Sequence, residues 1–461
     1  MNLDLLSQNL LLILCAVFTA IGMYLVLRLL VTDQKTSKKP TKKEKHATKS
    51  SATKRNLAVF VLALAWSAVA AFLIKFLFAY LTDSQLPDSV VLMSLPFTGS
   101  IALLLIVLRT KSKLWIMAAS CVLLGLAFSL LLANSYYRFY PTLGGLFDKD
   151  SNVQNSGRYR NNVFVNITHT ISSSDNQTIQ GELDSITGQP THGQVYSLNI
   201  PGTVSKFKAR TAYVYVPVSY NELSAINFPV IILTAGFPGM TENWLNSGLE
   251  ATMDQFAQSH EGITPLVFIV DNTGSLTNDT ECVDSPRGNV ETYLTTDVPN
   301  YIKSHFRVDD SPANWAIGGL SMGGMCGVML TLRHPSVFHY FMDYGGEVGP
   351  EVGSQQKTTD ELFDGSESAW AAHQPAILLT TKNFEGLGLG GFFGDGDQDA
   401  RIVTTAISEL TADSQNAGVE TVSETISGPH SFQVWQQLFK NSLPWISNRI
   451  GATQCGVNGC I

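Results

Sequence analysis

No CxxC pair and no His/Cys cluster at zinc-site spacing occurs in the chain, so neither a structural nor a catalytic zinc is expected. No internal repeat is evident, which argues against a repeat architecture. The first apolar stretch has no basic residues ahead of it and no small-x-small site before the lysine-rich segment that follows. It therefore does not read as a cleavable signal peptide. Cysteine is limited to six residues and charged side chains to 15% of the 461 positions, and those charges are unevenly spread. Residues 1–133 carry 14 Lys and Arg against 5 Asp and Glu, a balance of +9; the remainder carries 16 against 33, a balance of −17. A basic, apolar front joined to an acidic, ordinary-looking back suggests a membrane anchor followed by a globular domain.

Four apolar stretches occupy the front, at 5–31, 57–81, 90–108 and 114–133. Each is long enough to cross about 30 Å of hydrocarbon at 1.5 Å per helical residue. The loop 32–56 carries nine Lys and Arg, and the short RTKSK at 109–113 carries three, whereas TDSQLPDS at 82–89 and the first nine residues carry none. By the positive-inside rule both basic loops are cytoplasmic, and both chain ends lie on the other side. SYYRFY at 135–140 fits an aromatic belt at the outer interface. A lysine run held between two spans suits lipid headgroups better than nucleic acid, so no nucleic-acid partner is expected.

Cys15 and Cys121 fall inside these stretches, which leaves Cys282, Cys326, Cys455 and Cys460 on the exported side, an even number in an oxidising place. Cys455 and Cys460 flank a short GVNG turn and can pair locally, with Cys282 and Cys326 as the other candidate bridge; spacing alone leaves the connectivity open.

Residues 134–193 are rich in Ser, Asn, Gly and Thr and read as a stalk with edge-strand lead-in, and 194–461 as the globular domain. YSLNIPG and ARTAYVYVPVSY look like paired strands. PVIILTAG and PLVFIVDN are continuous apolar runs of the kind buried on both faces of a parallel sheet. Helix-like segments such as GLEATMDQFAQSH and ARIVTTAISELTADSQNAG lie between and after them, which implies an α/β fold with right-handed crossovers.

Within that pattern NWAIGGLSMGGMCGVML sets Ser321 between a strand and a helix, in the G-x-S-x-G arrangement of a nucleophile elbow. A serine hydroxyl needs a base held by a carboxylate, and in this fold class the chain order is Ser, then acid, then His. His334 and His339 are too close in sequence to reach back, and His373 sits in a segment that reads as an insertion. His430, in ISGPHSFQVW after a strand and before an apolar helix, is the candidate base. GGFFGDGDQDARI offers Asp395, Asp397 and Asp399; Asp399 opens the following helix and is the preferred acid, with Asp397 as its rival. A Ca²⁺ loop at these acids would lack its bidentate Glu. The backbone N–H of Met322 and that of Phe237, in TAGFPGMTENW, are the candidate oxyanion donors. Trp435 and Trp445 read as packing residues.

LTAGFPGMTENW, WAIGGLSMGGMCGVMLTLRHPSVF, FFGDGDQDAR and GPHSFQVW together resemble the esterase family of α/β-hydrolases that includes esterase D and the actinobacterial mycolyltransferases. The likeness spans roughly residues 194–451 and is strongest around Ser321. It implies an α/β-hydrolase fold, a triad of Ser321, Asp399 and His430, and oxyanion amides at Phe237 and Met322. The Cys282 and Cys326 pair is similar to that of a membrane-anchored actinobacterial branch, which implies a bridge between them. No position matches the trehalose-binding residues of the mycolyltransferases.

The expected protein is a multi-pass, extracytoplasmic serine ester hydrolase working through an acyl-enzyme without any cofactor. Its expected partners are the bilayer and an envelope lipid ester, acyl or aminoacyl; the −17 balance favours a cationic group. Acyl transfer to a sugar or lipid hydroxyl is the alternative chemistry, and a non-catalytic membrane scaffold the alternative class.

Overall fold

The computed structural model describes residues 88–109, 114–137 and 192–452 apart from four positions, short strands within 158–171 and 455–460, and isolated positions before residue 74. It divides into two compact units, Met1–Leu146 and Phe147–Ile461.

In the first unit, α1 (Asp88–Met93) and α2 (Leu95–Arg109) meet at Ser94, and α3 (Trp115–Tyr137) packs along α2. Pro96 falls in the first turn of α2, where its missing N–H costs nothing. Val107, Ala118 and Cys121 form the unit's buried cluster, and small polar residues add hydrogen bonds: Ser129 Oγ accepts from the Phe97 N–H at 3.3 Å, and the Ser67 and Thr98 hydroxyls share a hydrogen bond of 2.9 Å. Leu105, Leu108, Leu123 and Leu130 point outward. Two segments, Val91–Leu108 and Trp115–Asn134, are long and apolar enough to cross a membrane. The stretches 5–31 and 57–81 fall largely outside the described residues.

In the second unit, β1 (Arg158–Arg160) and β2 (Val163–Val165) form a small antiparallel pair. The main sheet takes β3 (Ile167–Ile171), β4 (Gln194–Leu198), β5 (Ala212–Val216), β6 (Val230–Thr234), β7 (Leu266–Ile269), β8 (Trp315–Leu320), β9 (Tyr340–Tyr344), β10 (Gly390–Gly396) and β11 (Glu420–Ile426). Among the described residues its order is β11-β10-β9-β8-β6-β7-β5-β4-β3. From β7 to β11 all neighbours are parallel; β5 is antiparallel to both β7 and β4. Every residue of β6, β7 and β8 is buried, as their apolar runs require of strands covered on both faces; β10 is buried throughout as well, although it carries Asp395. The crossovers include α4 (Leu249–Gln258), α5 (Val298–His305), α6 (Met322–Arg333), the short α7 (Gln355–Leu362), α8 (Glu367–Ala371) and α9 (Pro375–Thr381), then α10 (Arg401–Asn416); α11 (Phe432–Arg449) closes the fold. The helix-like run ahead of α5 holds a π-helical turn at Tyr293–Asp297, a break that its apolar spacing does not announce.

The Cys282–Cys326 bridge is formed and ties the loop after β7 to α6. The backbones of Cys455 and Cys460 face each other in a two-residue antiparallel pair, but their side chains lie outside the described residues.

One carboxyl is built into the middle of the sheet. Asp343 on β9 is fully buried; one oxygen accepts the Gly346 N–H at 2.7 Å and the other has no partner among the described residues. Burial, reinforced by the nearby charge of Asp395, pushes its pKa up to about 8. An unfolded aspartate ionises near pH 4. The stability that this neutral carboxyl contributes is therefore complete below about pH 4 and is lost as pH rises toward about 8. Asp343→Asn, neutral at every pH, should flatten the decline in Tm between pH 5 and pH 8; a slope equal to that of wild type would assign the decline to other groups.

Candidate active site

In parallel α/β sheets ligands bind beyond the carboxyl ends of the strands, and the sequence-predicted residues lie at that edge. Ser321 links β8 to α6 with φ 53° and ψ −127°, a conformation that costs a non-glycine residue free energy. Its N–H donates to the Tyr344 carbonyl at 2.9 Å, and its own carbonyl accepts from Gly324 and Met325 at 2.8 and 3.2 Å, so the turn is held from both sides. The flanking glycines are steric requirements. A Cβ on Gly319 would lie 2.3 Å from the Thr234 carbonyl oxygen, and one on Gly323 2.7 Å from that of Ala235. Both oxygens belong to β6 or its exit, so β6 packs directly beneath the elbow.

His430 comes from the loop joining β11 to α11. Its Nδ1 is 2.8 Å from Asp399 Oδ2 and its Nε2 3.1 Å from Ser321 Oγ. An ionised carboxylate only accepts, so Nδ1 carries the proton and Nε2 offers its lone pair to the serine hydroxyl. The Asp399 side chain is 1% exposed, and its other oxygen accepts the Ala400 N–H at 2.7 Å. The three neighbouring acids thus have separate partners. Asp395 lies within β10 and accepts from Thr425 Oγ1 at 2.6 Å, whereas Asp397 accepts the Gly428 N–H at 2.9 Å and does not meet the imidazole.

The loop after β6 passes against the serine: a Cβ on Gly236 would be 2.9 Å from that of Ser321. The next peptide, Phe237–Pro238, is cis. Met322 opens α6, where the first N–H groups have no partner within the helix. Among the described residues neither the Phe237 nor the Met322 amide is hydrogen-bonded.

The other histidines are committed elsewhere. Glu291 accepts from Arg333 Nε at 2.8 Å, His334 Nε2 at 2.6 Å and His373 Nε2 at 2.9 Å. Burial opposes its ionisation, but those three hydrogen bonds outweigh it and hold the carboxyl well below the usual range. His339 stands at the amino end of β9, the opposite edge of the sheet.

Sequence reasoning missed a group of acids beside the elbow. Asp279 and Glu281 lie on the loop held by Cys282–Cys326, with Glu281 at φ 51°. Burial first, then the charge of Asp279, pushes Glu281 far above the carboxylate range. Glu347, on the exposed loop after β9, is raised by desolvation first and then by the charge of Glu351, and the charge of His430 acts in the opposite direction. In the sequence only the −17 balance hinted at these groups.

A strained serine on a strand–turn–helix, a parallel sheet and a histidine delivered after the last strand define the α/β-hydrolase class. Residues 207–446 match the family described as "Putative esterase", and the chain belongs to that family of serine ester hydrolases. An uncharacterized protein of Corynebacterium glutamicum is 35% identical over 76% of this chain and 79% of its own length. The diacylglycerol acyltransferase/mycolyltransferase Ag85A of Mycobacterium leprae is 23% identical over 35% of this chain and 57% of its own. Among solved structures, a ferulic acid esterase covers 56% of this chain and 99% of its own, at 20% identity and a TM-score of 0.48.

The separate roles of the acids give a direct test. Asp399→Asn should lower p-nitrophenyl acetate hydrolysis by about 10³–10⁴-fold through the wrong imidazole tautomer. Asp397→Asn should stay within a few-fold of wild type, and the reverse order would transfer the role to Asp397.

Proposed function

We propose that this protein is a membrane-anchored, extracytoplasmic ester hydrolase that cleaves an envelope lipid ester through an acyl-enzyme on Ser321. The observation that carries this reading is the unbroken run of contacts from Ser321 Oγ through His430 to the buried Asp399 carboxylate. His430 Nε2 takes the hydroxyl proton as Oγ bonds to the ester carbonyl carbon, and Asp399 steadies the imidazolium that forms. Charge arriving on the carbonyl oxygen is met by the Phe237 and Met322 amides. Collapse of the tetrahedral species breaks the carbon–oxygen bond to the alcohol, which leaves with the proton from His430. Water, deprotonated by the same imidazole, then releases the acid and restores Ser321.

The domain scheme follows the sequence: four spans in 1–133, a stalk and lead-in strands in 134–193, and the catalytic domain in 194–461, with both termini outside. The outward leucines of α2 and α3 and the Cys282–Cys326 bridge support anchoring and an oxidising compartment. A tether at the outer leaflet raises the effective concentration of lipid substrates.

The acids around the elbow, Glu347 acting electrostatically with His430 among them, favour an aminoacyl ester, whose ammonium lies next to the carbonyl under attack, over neutral or anionic acyl groups. The partial likeness to a mycolyltransferase makes transfer to a second hydroxyl the alternative fate of the acyl-enzyme.

Full-length protein in nanodiscs should be labelled by a fluorophosphonate probe, and Ser321→Ala should not; labelling of the alanine variant would remove Ser321 from the chemistry. A glycerolipid bearing an alanyl ester should be cleaved at least about tenfold faster in kcat/KM than the same lipid bearing an acetyl or succinyl ester, since one charge contact in a cleft is worth a factor of this order. Glu347→Gln should narrow that ratio. Equal rates on all three esters would remove the cationic preference while leaving the hydrolase intact, and an acylated acceptor as main product would make the enzyme a transferase.

A further inference from the structure

Trp435, in the first turns of α11, is 4% exposed, and its indole Nε1 has no hydrogen-bond partner among the described residues. Cores avoid this arrangement, because a phenylalanine or leucine fills the same space without stranding a donor. The surroundings suggest why the indole is there. Its ring meets the His430 imidazole at 89° with centroids 4.6 Å apart. A Cβ built on Gly345, at φ 71°, would lie 3.0 Å from Trp435 Nε1, 3.4 Å from Asp399 Oδ2 and 3.4 Å from His430 Cε1. Indole N–H, carboxylate and imidazole therefore border one small space, which the missing side chain of Gly345 keeps open.

We propose that Trp435 is a positioning residue for the His430–Asp399 pair: its ring sets the plane of the imidazole, and its N–H is a third donor to the Asp399 carboxylate once the imidazole is charged. This rests on the triad reading of Ser321, His430 and Asp399. In the resting state Asp399 already accepts from His430 Nδ1 and the Ala400 N–H. When His430 takes the serine proton, the carboxylate balances a full positive charge, and a donor at its edge spreads the negative charge. The pair then holds the proton less tightly, as a general acid about to protonate a leaving alcohol must. Among the described residues, Glu347 on the loop after β9 also acts electrostatically with the imidazole. It acts from its own loop and is untouched by a change in α11. The right-angled ring contact acts before any proton moves. It restricts imidazole rotation, so that Nε2 stays aimed at Ser321 Oγ.

Trp435→Phe keeps an aromatic ring and loses the N–H; Trp435→Leu loses both. In full-length protein, Phe should slow fluorophosphonate labelling and p-nitrophenyl acetate turnover by about tenfold, and Leu by about a hundredfold, within the range of one general-base contribution. KM should stay within a factor of about two, because the indole touches the pair and not the ester. In the Phe variant the acid limb of the kcat/KM profile should move to higher pH, since a carboxylate without the indole donor holds the imidazolium proton more tightly. Wild-type labelling rate and acid limb in the Phe variant would overturn the proposal, as would a raised KM at unchanged kcat, which would make Trp435 a substrate contact. If the Phe variant does not fold, benzothienylalanine at 435 decides, because it keeps the indole shape without the N–H and is read by the same acid limb. Ser321→Ala serves as the internal control: if it still labels, the triad reading has failed, and if it does not label while Trp435→Phe matches wild type, only the role of Trp435 has failed.

Discussion

The backbone of Ser321 is held in a conformation that an L-residue avoids, and the surrounding construction supports that single turn. Its amide is tied to the Tyr344 carbonyl on β9, its carbonyl starts α6, and the glycines on either side let the carbonyls of Thr234 and Ala235 come within what would be a clash for any other residue. Strain of this kind persists only where packing over-determines it, and here it is over-determined by three adjacent parallel strands. What it achieves is exposure: the hydroxyl stands above the sheet edge at the amino end of a helix, where a base from another loop can reach it.

The His430 imidazole arrives through the same logic of strand ends. β10 delivers Asp399 and β11 delivers His430, and because the two strands are parallel neighbours in register their exits are adjacent. The chain order of serine, acid and histidine is thus the order in which successive crossovers return to one edge of the sheet. The disulfide adds a further strand exit to this edge, holding the Asp279–Glu281 loop against α6. Carboxyls accumulate there under crowding, and several of them are pushed toward the neutral form. Acids this close oppose one another's ionisation.

Legibility differed by element for physical reasons. The runs that became β6 and β7 were readable because strands buried on both faces must be apolar throughout, and the elbow because its glycines are demanded by local sterics. Ser321, His430 and Asp399 could be ranked from chain order and neighbouring turns alone. Asp343 could not be found, since an aspartate in YFMDY looks like the polar face of a half-exposed strand until both faces prove covered. Glu291 and its ring of Arg333, His334 and His373 were equally hidden, because their partners come from segments up to 82 residues apart. Trp435 read as packing, and it does pack; the sequence carries no sign that the surface it packs on is the imidazole.

The one-dimensional pattern by itself determined what depends on periodicity and backbone sterics: the division into an apolar basic front and an acidic α/β domain, the strand–turn–helix at Ser321, and the small set of residues able to serve it. Only the folded chain decided which of three clustered acids meets the histidine, where Cys282 finds its partner, and which carboxyls crowd the cleft. Those outcomes rest on through-space distances of a few ångströms between loops far apart in sequence. Local residue pattern constrains each loop's shape, but not which other loop it will lie against.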